Sequence, residues 1–91
     1  DGDHAVVNFA ATEYLLGISY HDLAQRLAED FGISLVAACR LTDRTNVLGI
    51  TRAEPAVIDI AKSASTQVVR GDRLTLFGSR KQLRDLCRKV N

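Results

Sequence analysis

Apolar residues recur along this chain with two different periods, and the switches between them mark out its elements. In Ala5–Ala10, Val7 and Phe9 alternate with polar or small neighbours, the spacing of a half-buried strand. Ser19 then offers a helix N-cap, with Asp22 three residues on to complete a capping box and favoured there by the helix dipole. Leu23, Leu27 and Phe31 follow at i, i+4 and i+8, which predicts a helix with one apolar face closed by Gly32 as its C-cap. Asp22 and Arg26 are placed as an i, i+4 ion pair. Ile33–Cys39 is apolar at every position except Ser34, so it predicts a central strand covered on both faces. Thr42–Asn46 supplies turn residues before Val47–Thr51, and the two strands read as a hairpin. Pro55–Lys62 admits either a short helix opened by Pro55 or an edge strand at Val57–Ile60, and its β-branched residues favour the strand. Ser63–Thr66 is expected to be a loop.

The closing block carries the most information. Gly71-Asp72 is a turn signal, because glycine accepts positive φ and an aspartate can bond nearby backbone amides. Leu74 and Leu76 then alternate with Arg73 and Thr75, and Gly78 ends the strand. Ser79 and Gln82 form a second capping box, and Leu83, Leu86, Cys87 and Val90 make a packed stripe opposite Lys81, Arg84 and Arg88. The expected fold is therefore α+β: a small, mostly antiparallel sheet of four or five strands with two helices on one face.

Composition narrows the classes. Ninety-one residues, 46% hydrophobic and 25% charged, suit one folded domain spanning residues 1–91. No apolar run is long enough for a membrane span. The lack of methionine suggests a piece of a longer protein. A net charge of +1 conceals a balance of −5 over residues 1–32 and +6 over the rest, which suits pairing of opposite faces better than nucleic-acid binding. Cys39 and Cys87 are expected as buried free thiols in a reducing, cytosolic setting.

Catalytic chemistry is not signalled. The chain has no glycine-rich phosphate loop, no nucleophile elbow and no nucleophile with a base beside it. His4 and His21 fall in different elements, and Asp1, Asp3 and His4 read as a terminus, so no metal site is expected. Arg70-Gly71-Asp72 spells an adhesion tripeptide, but as a strand-entry turn it reads as coincidence, with Asp72 bonding its own turn. Lys81, Arg84 and Arg88, the three cations that share one face of the last helix, read as a solvated face, since no aromatic is interleaved to stack bases.

The order of these blocks resembles the C-terminal domain of regulators of potassium conductance, the TrkA-C or RCK-C domain. The resemblance rests on Leu16-Gly17-Ile18-Ser19 leading into Leu23-Ala24, on Phe31 through Arg40, and on Gly71 through Gly78, which matches a Gly-Asp-x-Leu-x-apolar-x-Gly pattern. It departs in having about twenty residues, with Pro55 the lone proline, where members carry a short proline-rich link. The resemblance implies a cytoplasmic, homodimeric regulatory domain at the inner face of the membrane, partnered by a potassium channel or transporter. It implies a regulatory ligand in the crease between two copies, either a cyclic dinucleotide or a divalent cation. For a cyclic dinucleotide it places Leu35, Arg40 and Asn46 as contacts: Leu35 against the ring, Arg40 on phosphate and Asn46 on a base edge. Read from the residues alone, Arg40 is a strand-ending charge and Asn46 a turn residue. A purely structural assembly domain, or the regulatory domain of an anion or amino-acid carrier, are the alternatives.

Overall fold

The computed structural model describes residues 3–62 and 65–90, apart from the side chain of Lys62. Ser63 and Ala64 of the expected loop, and Asp1 and Gly2 of the acidic N-terminus, lie outside the described residues. Four strands form one antiparallel sheet: β1 (His4–Ala10), β2 (Ser34–Thr45), β3 (Thr51–Ile58) and β4 (Arg73–Ser79), in the order β1-β4-β2-β3. Two helices, α1 (Tyr20–Arg26) and α2 (Arg80–Val90), cover one face, which makes the fold α+β as the pattern predicts. Short 3-10 turns occupy Glu13–Leu15 and Ile60–Lys62.

Both predicted helix starts are capped by serine. Ser19 Oγ accepts from the Asp22 amide at 3.1 Å. At α2 the box closes in both directions: the Gln82 amide donates to Ser79 Oγ at 3.1 Å, and the Ser79 amide to Gln82 Oε1 at 2.9 Å. Past Arg26 the first helix widens into a π turn over Leu27–Phe31. Gly32, at φ 69°, ends it, with its amide reaching both the Ala28 and Leu27 carbonyls. The Asp22–Arg26 ion pair is not formed. Leu23, Leu27, Leu83, Leu86 and Val90 pack down onto Ile33, Ala38, Leu74 and Leu76, so the core lies between the helices and the sheet.

Three expectations change in register or burial. The hairpin turn is Asn46–Ile50, not Thr42–Asn46, because Asn46 Oδ1 accepts from the amides of both Leu48 (2.9 Å) and Ile50 (3.1 Å) and thereby closes the loop. The polar residues Thr42–Thr45 stay in β2, where they pair with Thr51–Glu54. The strands expected at Val47–Thr51 and Val57–Ile60 are displaced: Val47–Ile50 belong to the turn, a single strand β3 runs over Thr51–Ile58, and Ile60 opens the short 3-10 turn. Pro55 is tolerated within β3 because β3 is an edge.

The second change concerns β2, which is central but covered on one face only. A bulge at Val36 lets Leu35 face Leu76 and Ala38 face Leu74, so both point into the core despite their odd spacing. On the other face Val36 is 57% exposed and Cys39 half-buried. The third change is the thiols. Cys39 stands on the sheet face that no helix covers, and Cys87 is exposed because Leu83, Leu86 and Val90 fill the contact face of α2.

Replacing Ser79 by alanine removes the α2 cap and is expected to cost about 1 kcal/mol. In a domain of this size that is a fall of about 4–8 °C in Tm, readable by thermal unfolding.

Candidate ligand-binding arm and its anchor

Asp72 stands at the junction of the elements that carry the candidate site. The Val69–Asp72 turn is closed by the Asp72 amide on the Val69 carbonyl at 3.1 Å, with Gly71 at φ 91° in the position that requires it. The Asp72 side chain answers by accepting from the Val69 amide at 3.1 Å. It therefore bonds its own turn, as expected from sequence. It also does more: the carboxylate is fully buried and accepts from Tyr20 Oη at 2.5 Å and from Arg40 Nε and Nη2 at 2.8 and 2.9 Å. The fork of Arg40 thus meets the carboxylate edge to edge, the geometry in which a guanidinium pairs most strongly.

The protonation states follow from this arrangement. Burial works to raise the Asp72 pKa, but the Arg40 and Tyr20 hydrogen bonds outweigh it and hold the carboxyl below its ordinary value. Burial, with the hydrogen bond to Asp72, pushes the Tyr20 phenol well above its usual range. Arg40 also donates from Nη2 to the Gln67 carbonyl at 2.9 Å. That carbonyl is itself positioned by a short antiparallel contact between residues 17–20 and 66–68.

Beyond Arg40 the sheet narrows to the β2–β3 ribbon, in which every residue from 41 to 57 is exposed. On this arm lies a shallow polar depression of about 520 Å³, lined by Arg44, Thr45, Asn46, Ile50, Arg52 and Glu54. Arg44 and Arg52 are direct cross-strand partners, a like-charge pairing that disfavours the ribbon by itself. Only Glu54 offsets it among the described residues, at 3.8 Å from Arg44. An anion seated between the two guanidinium groups would relieve that repulsion.

The three residues singled out from sequence do not meet within one chain. Leu35 packs into the core opposite Leu76. Arg40, its side chain one-third exposed, is committed to Asp72 and Gln67, leaving Nη1 outside these bonds. Asn46 opens the turn just past the end of β2, six residues beyond Arg40 and roughly 20 Å away at strand spacing. A cyclic dinucleotide site therefore cannot be assembled from these three in one copy. Asn46 does share its depression with Arg44 and Arg52, which the sequence reading passed over because it put Arg44 in a turn and left Arg52 outside any strand. Cross-strand pairing of two arginines was the missing signal. For a divalent cation, no group of three His, Cys, Asp or Glu side chains gathers among the described residues.

In three dimensions the chain is similar to the regulator of conductance of K+ (RCK) C domain of the potassium transport protein KtrA, solved in complex with cyclic diadenosine monophosphate. The TM-score is 0.63 at 21% identity, covering 98% of this chain and 86% of that one. The fold is thus RCK C-like. No family model matches the chain, and no curated protein matches it by sequence.

Arg40→Met leaves the Asp72 carboxylate buried without its counter-charge, and a loss of about 3 kcal/mol or more is expected in chemical denaturation. The double variant Arg40→Met/Asp72→Leu should be less damaged than Arg40→Met alone, because it removes the stranded charge. Because Asp72 has its pKa depressed in the fold, its contribution is present above the unfolded value of 3.8 and is lost as pH falls below it toward the folded value. The raised Tyr20 phenol acts at the other end. Its contribution is complete below pH 10.0 and is lost as the unfolded chain ionises above that value. Stability against pH should therefore fall at both extremes, and Tyr20→Phe should flatten the alkaline limb.

Proposed function

We propose that this chain is a self-associating regulatory domain of a potassium-transport system, acting by binding a phosphate-bearing ligand where two copies meet. The observation that carries the reading is the uncovered face of the sheet. Val6 (64%), Val36 (57%), Leu41 (65%), Val57 (85%) and Phe77 (41%) are exposed on it around a floor of Ala37, Cys39 and Thr75. Small residues in the middle and bulky apolar ones around them suit close approach of a second sheet, and a patch of this kind on a small domain marks an interaction surface. A ribbon that projects unsupported, with Val47 and Leu48 bare at its tip, is marginal until it is covered.

The RCK C-like fold supports the same reading, since the similar structure belongs to a potassium transport protein and holds a cyclic dinucleotide. In a dimer the Arg44–Arg52 depression and Asn46 of one copy would be the phosphate and base contacts. Leu35 and Arg40 would belong to the ligand only through what the second copy brings to them. A ligand that fits one arrangement of the pair better than another shifts the balance between them, and through it the attached transporter. We place the domain on the cytoplasmic side of the membrane as part of a longer polypeptide. No helix among the described residues is long and apolar enough to cross a membrane. Neither the knot around Asp72 nor the arm offers a nucleophile with a base, so binding rather than catalysis is the proposed activity.

The commitment of Arg40 to Asp72 favours a second reading, in which the domain assembles subunits and senses nothing. Light scattering with calorimetry separates the two. The proposal expects a dimer that Leu41→Asp/Val57→Asp converts to monomer, and cyclic diadenosine monophosphate binding that weakens about tenfold in Arg44→Gln/Arg52→Gln. A dimer indifferent to the nucleotide supports pure assembly; a monomer at high concentration contradicts both.

A further inference from the structure

On the helical side of the domain, away from the bare sheet face and the arm, lies a second concavity with different chemistry. It is a cleft of about 310 Å³ between the Glu13–Leu15 turn, the first helix with its π turn, and the last turn of α2. Its floor is the core itself: Leu15, Leu23, Leu27, Leu86 and Val90 are all buried yet line it. Its mouth is charged. Arg26 approaches from α1 and Lys89 from α2, with Asp30 from the π turn, and all three are exposed. Among the described residues none of the three side chains makes an ion pair, although Arg26 and Asp30 are four apart on one helical segment.

The π turn is what gives the cleft this form. Widening the helix after Arg26 places Leu27 in the floor and Asp30 and Phe31 around the opening, and π turns of this kind are rare and concentrate at functional sites. An apolar floor with a few convergent polar groups, at the lower end of the usual pocket volume, is the profile of a small-molecule site. The charges define the occupant. Two cations from different helices against one carboxylate leave the mouth with a surplus of a single positive charge, and the floor offers only hydrocarbon contacts.

We infer that this cleft binds a small amphipathic monocarboxylate, its carboxylate between Arg26 and Lys89 and its apolar body against the accessible walls Tyr14, Ile18 and Phe31. Asp30 limits the charge the mouth accepts, so it selects against dianions. The site bridges α1 and α2, and its occupancy ties the two helices together independently of the sheet face and the arm.

Amide chemical-shift titration of the whole chain with octanoate tests this. Saturable shifts are expected at Ile18, Phe31 and Leu86, with octanol binding more weakly and octylamine more weakly still. Arg26→Gln/Lys89→Gln neutralises two exposed side chains that make no ion pair among the described residues, so the fold should be kept. It should weaken octanoate about tenfold, the scale of two solvent-exposed charge contacts, while leaving octanol unchanged. Asp30→Asn should strengthen octanoate. Octanoate shifts confined to Val36, Val57 and their neighbours, unaltered affinity in Arg26→Gln/Lys89→Gln, or weaker binding in Asp30→Asn would each overturn the assignment.

Discussion

One buried carboxylate ties this domain together. Asp72 is held by Tyr20 from the first helix, Arg40 from the middle of the central strand, and the amide of its own turn. Tyr20 and Arg40 reach it from parts of the chain 52 and 32 residues away. A carboxylate without access to water is tolerated only when it is paired and fully hydrogen-bonded, and here four bonds meet that requirement. The consequence is geometric. The knot sits where the covered part of β2 ends, so it fixes both the edge of the core and the direction in which the arm leaves it.

The bare sheet face and the projecting arm lie behind and beyond that point. Behind it, the bulge at Val36 turns Leu35 and Ala38 into the same core and leaves Val36 and Cys39 on the face without helices. Beyond it, β2 and β3 continue as a ribbon with little of its own to stabilise it, carrying two facing arginines and an apolar tip. A self-associating reading accounts for both features together, because a second copy would bury the apolar face and support the ribbon. An anion between Arg44 and Arg52 would remove the remaining electrostatic strain.

How much of this was legible in the sequence depends on how local the determinant is. Ser19, Gly32, Ser79 and Gln82 act within a few residues, and each caps as its pattern predicts. The alternation of Val7 and Phe9 and of Leu74 and Leu76 survives because those strands run without irregularity. Strand β2 defeats the same logic. Its bulge changes which residues face the core, and its polar outer half is a strand only through pairing with Thr51–Glu54. Arg40 looked like either a strand-ending charge or a phosphate ligand. Its role as the partner of Asp72 depends on a contact across 32 residues that no local pattern records. Arg44 and Arg52 were missed for the same reason, since cross-strand register is invisible until the turn at Asn46–Ile50 is placed.

The central claim is that the uncovered sheet face is where one copy meets another. Isotope-filtered nuclear Overhauser spectroscopy on a mixture of labelled and unlabelled chains reads that contact directly. The account predicts intermolecular cross-peaks from the side chains of Val36, Leu41, Val57 and Phe77. Their absence at concentrations where the chain is dimeric, with cross-peaks from α2 in their place, would contradict it.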